Sequence, residues 1–347
     1  MIRIILLLLL LANQTYGQDQ EKEQIFEFQF AEYTMHGRLD LPVSKQPKGI
    51  VLIVHGSGRT DAVAGNWHAD IRAAINEAGY CTYMWDKMGC GKSEGTFDYN
   101  QTVQNSAKEV IAAINALQQA QLPGSMEIGL WGISRAGWIN PLVINQYRDI
   151  KFWISVSGVD NKESFNYLFK ENLHLNGLPQ DSITLLVNEL KAGARISHEG
   201  GSFAAYTQAT QNLRKNKFLN RFNNNSVVTE KGYYEYQQSF MKEILDEETG
   251  LQVYVENFDT ILANVNCPVL ALFGETDRHV DWKKTRLLYQ KTLAPNIDLT
   301  IKSFPACNHN LFACETGAFY EFQDNNLPWN RCDGVLATMT EWLNQLK

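Results

Sequence analysis

In Gly132-Ile133-Ser134-Arg135-Ala136-Gly137 a serine hydroxyl stands between a continuous apolar run and a helix-like one. A tight strand-to-helix turn exposes such a hydroxyl for nucleophilic attack and admits only small neighbours. Gly132 and Ala136 meet that demand on either side of Ser134. The turn also sets the hydroxyl at a helix N-terminus, where positive potential favours developing negative charge. A second segment, His55-Gly56-Ser57-Gly58, ends another apolar run. Attack on an acyl carbonyl creates a tetrahedral oxyanion that needs preorganised N–H donors, each worth about 3 kcal/mol of barrier. A glycine-bearing loop lets the backbone come that close. The backbone N–H groups of Ser57 and Arg135 are the expected donors, and His55 is expected to brace the loop and not to act as a base. These residues suit acyl transfer through a covalent serine intermediate.

Such groups must be held by elements, and the chain alternates them. Residues 25–31 and 35–41 read as an antiparallel hairpin. Residues 49–54 are a continuous apolar run, as expected of a strand buried on both faces of a parallel sheet. A helix over 67–78 follows, stopped by Gly79. Strands over 80–85, 127–131 and 152–156 then alternate with helices over 102–119 and 135–147. Strands over 268–273 and 299–304 alternate with helices over 282–292 and 335–346. This alternation predicts an α/β architecture with a mostly parallel sheet covered on both faces. Residues 161–260 break the rhythm. They hold helical patterns, the polar run 223–226 and the aromatic segment Tyr233-Tyr234-Glu235-Tyr236. We read them as a helical insertion that caps the C-terminal ends of the strands, where open α/β sheets bind ligands. The core is then 18–160 and 261–347.

Three ordered motifs carry a resemblance. They are His55-Gly56-Ser57-Gly58, the loop from Asp86 to Gly95 (Asp86-Lys87-Met88-Gly89-Cys90-Gly91-Lys92-Ser93-Glu94-Gly95), and Gly132 through Trp138 with Pro141. Together they resemble the α/β-hydrolase superfamily over residues 48–347, within it bacterial esterases and serine aminopeptidase-like hydrolases. The elbow departs from Gly-x-Ser-x-Gly only in Ala136, which is still small. The resemblance implies an α/β-hydrolase fold and a triad in the chain order Ser, acid, His. Asp277, in Gly274-Glu275-Thr276-Asp277, is where such a family places its acid; Glu275, Asp281 and Asp160 compete for the role. His309 occupies the loop after the last strand that the mechanism needs, whereas His174 and His198 fall in the insertion and His279 lies close to Asp277. The implied reaction is carboxylic ester hydrolysis, or peptide or aminoacyl hydrolysis by the same triad. A binding protein on this scaffold that no longer turns over is a further reading, since a fold does not fix an activity. Trp67, Trp138, Tyr206 and Tyr233 are candidates to line a pocket. The glycine-rich loop 86–95 lacks the Lys-Ser/Thr pair of a phosphate cradle and reads as structural.

Composition sets the bounds. The chain has 347 residues, 44% of them hydrophobic and 20% charged, as in a globular enzyme. A net charge of -7 gives no basic stripe for nucleic acid. No cofactor is called for, and no Cys-x-x-Cys pair points to a metal. The expected partner is a small acyl substrate or short peptide. Arg3, the apolar residues 4–12 and Thr15-Tyr16-Gly17 read as a secretory signal peptide cleaved after Gly17, which implies a periplasmic or extracellular protein with no membrane span in the mature chain. Of the six cysteines, Cys81 and Cys267 fall in strand-like runs where free thiols are usual, and Cys90 falls in the glycine-rich loop. Cys307, Cys314 and Cys332 gather around His309. Export would let two of these three pair, and the sequence leaves open which.

Overall fold

The computed structural model describes residues 23–42, 46–98, 101–160, 166–222, 229–241, 244–245 and 252–346. The expected signal peptide, residues 1–17, lies outside the described residues, as does the polar run 223–226. The strands are β1 (Glu23–Phe30), β2 (Tyr33–Asp40), β3 (Ile50–Val54), β4 (Cys81–Trp85), β5 (Ile128–Ile133), β6 (Phe152–Val156), β7 (Ile244–Leu245), β8 (Gln252–Val253), β9 (Val269–Gly274) and β10 (Leu299–Phe304). The helices are α1 (Ala69–Glu77), α2 (Val103–Gln119), α3 (Ala136–Gln146), α4 (Asn166–Leu175), α5 (Gln180–His198), α6 (Phe203–Ala209), α7 (Lys217–Phe222), α8 (Glu230–Phe240), α9 (Phe258–Ala263), α10 (Trp282–Thr292), α11 (Glu321–Asn325) and α12 (Val335–Gln345).

One eight-stranded sheet runs in the order β1-β2-β4-β3-β5-β6-β9-β10. The β1–β2 hairpin is antiparallel and joins β4 antiparallel; the remaining neighbours are parallel. The continuous apolarity of β3 follows from its two covered faces. Ile50, Leu52 and Val54 pack with residues of α2 and α3, while Val51 and Ile53 pack with residues of α1 and α12. Each such side chain contributes about 1.5–3 kcal/mol by leaving water.

The chain leaves β3 for β4 on one side and returns to β5 on the other. A crevice opens at the carboxyl ends of strands where the winding reverses in this way. The segments after β3 and β5, which carry Ser57 and Ser134, are therefore neighbours. A Cβ built on Gly56 would lie 3.5 Å from the Ser134 Cβ.

Helices α4 to α8 interrupt the alternation between β6 and β9. Leu168, Phe169, Leu173, Ile183, Leu186 and Val187 form a separate small core there. Val255 and Phe258 belong to the sheet core, and α9 packs against α3.

Candidate active site

Ser134 follows β5 with φ +56°. A side chain in this left-handed region costs about 1–3 kcal/mol, and the cost is met by the surroundings. The Ser134 N–H donates to the Val156 carbonyl at 2.9 Å, and its carbonyl accepts from Gly137 N at 2.7 Å. The small neighbours are required by contact. A Cβ on Gly132 would come within 2.6 Å of the Ala136 Cβ and 2.4 Å of Asn140 Nδ2, and one on Gly137 within 2.9 Å of Val159 N. Ala136 itself is accommodated because Gly132 leaves it room.

Asp277 and His309 meet at the carboxyl ends of β9 and β10. His309 Nδ1 lies 2.8 Å from Asp277 Oδ2. The Asp277 side chain is fully buried, and its other oxygen accepts from His279 N at 2.7 Å and Val280 N at 3.0 Å. Burial alone would raise the Asp277 carboxyl, but the adjacent His309 imidazole, with His279 and the Val280 N–H, outweighs it and holds the group below the usual carboxylate range. A carboxylate only accepts, so Nδ1 donates and the lone pair is left on Nε2, the tautomer a general base needs. The competing acids are engaged elsewhere. Glu275 accepts from Ser303 Oγ at 2.7 Å, Asp281 caps α10 through Lys284 N at 3.2 Å, and Asp160 pairs with Lys284 Nζ at 3.0 Å. Among the described residues no hydrogen bond joins the Ser134 hydroxyl to the His309 ring.

The His309 loop is heavily tied. Cys307 and Cys332 form a disulfide with Cα atoms 6.1 Å apart, and Cys314 stays free, as do Cys81, Cys90 and Cys267. A bond closing a loop of this length contributes about 3 kcal/mol through the unfolded chain. Asn308 Oδ1 accepts from Asn310 N at 2.9 Å and Phe312 N at 3.0 Å. Arg331 reaches the Asn310 carbonyl at 2.5 Å and pairs with Asp70 at 2.7 Å. Gly274 ends β9 where this loop crosses, and a Cβ there would meet the Asn308 carbonyl at 2.3 Å.

The family described as serine aminopeptidase, S33, matches residues 45–316. The chain belongs to this family of hydrolases. No curated protein sequence matches it. Among solved structures it is similar to the esterase Pf2001 of Pyrococcus furiosus, with 12% identity, TM-score 0.53, and 93% of this chain and 92% of that chain covered. It is also similar to the proline iminopeptidase of Mycobacterium smegmatis, with 18% identity, TM-score 0.52, and 93% and 98% covered. At such identities the likeness speaks for the α/β-hydrolase fold alone, which the sheet order already displays.

Around the site the structure adds contacts that the sequence did not disclose. His279 stacks on the His309 ring at 4.7 Å and on Phe319, also at 4.7 Å. Burial and the neighbouring His309 push the His279 imidazole down to about 3. His55 binds the Trp85 carbonyl through Nε2 at 2.6 Å and packs edge-on to the Trp85 ring, which fits a bracing role. From the insertion, Tyr167 donates to the Asp277 carbonyl at 3.1 Å, Asn172 Nδ2 to the Arg278 carbonyl at 3.1 Å, and Glu171 pairs with Arg278 at 2.8 Å. Of the aromatics proposed for a pocket, only Trp67 is exposed. Trp138 is buried and stacked on Tyr254 at 4.4 Å, and Tyr206 and Tyr233 pack on each other at 4.8 Å inside the insertion. Among the described residues no His, Cys, Asp and Glu cluster is placed to hold a metal ion, and no helix is long and apolar enough to cross a membrane.

Proposed function

We propose that this protein hydrolyses carboxylic esters through a covalent acyl-serine, with Ser134 as nucleophile, His309 as general base and Asp277 as its orienting carboxylate. The observation that carries this reading is the buried 2.8 Å contact between His309 Nδ1 and Asp277 at the same sheet edge as a serine held at φ +56°. Ser134 Oγ bonds to the acyl carbon as its proton passes to His309 Nε2. The carbonyl oxygen becomes an oxyanion facing the backbone N–H groups of Ser57 and Arg135. Collapse breaks the bond to the leaving alcohol, which takes the proton from His309. Water then attacks the acyl carbon in the same way, the acid is released, and Ser134 regains its proton. The same steps cleave a peptide or aminoacyl bond when the leaving group is an amine. The family match supports that second reading, because its description is that of an aminopeptidase.

Helices α4 to α8 act in this reading as a cap over the carboxyl edge, supported by their contacts to Asp277 and Arg278. Residues 1–17 direct export to the periplasm or medium, a reading supported by the Cys307–Cys332 bond, since disulfides persist in oxidising compartments.

The test is labelling by a fluorophosphonate together with turnover of p-nitrophenyl esters of graded chain length and of aminoacyl-nitroanilides. Ser134→Ala should abolish labelling and lower hydrolysis by roughly 10⁴-fold or more with the fold intact. Retention of a tenth of the activity would move the nucleophile elsewhere. The faster substrate series decides between ester and amide.

A further inference from the structure

Behind the loop that carries Ser57 lies a buried polar cluster that the proposed chemistry does not use. Lys87, the residue after Asp86 in the glycine-rich loop, sends its Nζ to the Gly56 carbonyl at 2.6 Å and the Gly58 carbonyl at 2.7 Å. A trans peptide places its C=O and N–H on opposite sides. Fixing the Gly56 oxygen on Lys87 therefore sets the Ser57 N–H on the side away from Lys87. Fixing the Gly58 oxygen does the same for the Arg59 N–H. Gly56 itself abuts Ser134, so the oriented peptide borders the nucleophile.

The loops are interlocked around this contact. Asp86 accepts from Val63 N at 2.9 Å and Lys92 N at 3.0 Å, Gly91 N donates to Asp61 at 2.8 Å, and Lys87 N donates to the Thr60 carbonyl at 3.1 Å. The far wall of the small cavity beside Lys87 comes from α2 and the elbow. Glu109 accepts from Trp85 Nε1 at 2.6 Å and Gln101 Nε2 at 3.0 Å. Arg135 donates to Ser106 Oγ at 2.9 Å and to the Gln101 carbonyl. The side chain of Arg135, whose own N–H is the second expected oxyanion donor, is thus anchored in the same cavity as Lys87.

Building on the serine-hydrolase reading above, we infer that Lys87 is a positioning residue: it holds the Gly56–Ser57 peptide in the orientation that gives the oxyanion its Ser57 donor. The groups facing its ammonium are His55 from the β3 loop, Cys90 from its own loop, Glu109 from α2 and Arg135 from the elbow. Burial, and then Arg135, push the Lys87 ammonium down to about 8, against the opposing effects of Glu109 and Cys90. The clamp is charged below that pH and weakens above it, where a neutral amine is a poorer donor.

The experiment compares wild type, Lys87→Met and Lys87→Gln, with Ser134→Ala as control. It measures kcat and KM on a p-nitrophenyl ester from pH 6 to 10, and inhibition by an alkyl trifluoromethyl ketone. Ser134 Oγ adds to that ketone carbon, its proton passes to His309, and the ketone oxygen becomes a stable oxyanion, so inhibition reads the donors directly. Lys87→Met should lower kcat and ketone affinity by about 10²-fold with KM within about threefold, because the donors act on the oxyanion and not on the ground state. Lys87→Gln, which keeps an uncharged amide NH2 as donor, should fall between. Wild-type kcat should decline above about pH 8, and that limb should vanish in both variants. A folded variant with wild-type kcat and ketone affinity overturns the role. If Lys87→Met does not fold, Lys87→Gln decides alone, and wild-type kcat and ketone affinity in that variant overturn the role equally. Hydrolysis surviving in Ser134→Ala sinks the serine mechanism itself, a result distinct from either.

Discussion

In the loop that carries His309, a disulfide, the Asn308 side chain, the Arg331–Asp70 pair and the crossing over Gly274 all act within a short stretch of chain. The inserted helices are held differently. They have their own small core, and among the described residues α4 meets the Asp277 loop through polar contacts: the Tyr167 hydroxyl, the Asn172 amide and the Glu171–Arg278 ion pair. Groups that must hold an imidazole to within a fraction of an ångström are over-determined. A segment that shapes a pocket needs only docking, and this contrast predicts where substitutions cost activity and where they change selectivity.

The largest effect should come from the tied edge. Asp277→Asn keeps the shape of the side chain but removes the charge. An amide can present its N–H to Nδ1 and fix the wrong imidazole tautomer, with the lone pair turned away from Ser134. We expect kcat to fall by about 10⁴-fold, equivalent to about 5.5 kcal/mol, while KM changes little. Steady-state kinetics on the preferred ester checks this, and a loss below tenfold would separate the Asp277–His309 pair from the reaction.

The next effect is on stability and reaches from the tied edge, where His279 lies, to His55 after β3 and His68 before α1. Burial is the largest cause that lowers His55 and His279 to about 3 and His68 to about 4, all from 6.5. The unfolded chain takes up these protons as pH falls below 6.5, while the folded chain does not until near pH 3–4. The unfolded state therefore binds more protons throughout that window, and stability falls as pH drops. Each buried imidazole contributes up to about 1.4 kcal/mol per pH unit. Urea unfolding followed by circular dichroism should show a midpoint that drops steeply from pH 7 to 4.5. A midpoint constant over that range would show that these rings are solvated.

What could be read in the sequence follows the same divide. Strand runs such as 49–54 were legible because burial on both faces leaves no polar residue to blur them, and the turn at Ser134 because it admits only small residues such as Gly132 and Ala136 beside it. Lys87 is not legible, since nothing in a glycine-rich loop marks a lysine as buried until its two carbonyl partners are known. The nearness of His279 to Asp277 in sequence argues against a role of its own, yet its ring stacks on His309. The pairing of Cys307 with Cys332 needed a distance. Trp138, Tyr206 and Tyr233 show why pocket linings resist prediction: an aromatic at helical spacing packs as readily into a core as into a site.

The smallest effect probes the junction between the regions. Tyr167 donates from α4 to the backbone carbonyl of Asp277, a direct contact of the insertion with the proposed acid. Burial raises the Tyr167 hydroxyl well above its ordinary value, so it stays protonated and donates across the working pH range. Tyr167→Phe removes this bond and leaves a carbonyl without that donor. The net cost of one neutral hydrogen bond is about 1 kcal/mol. Because Asp277 is held independently by the N–H groups of His279 and Val280, that cost should fall on docking of α4 and not on the carboxylate. We therefore expect kcat within about twofold of wild type, KM raised by about two- to fivefold for the bulkiest esters, and faster proteolysis within α4 to α8. A fall in kcat of tenfold or more at unchanged KM would mean that the insertion positions the acid as well as covering the site, and the distinction between a tied edge and a docked insertion would fail.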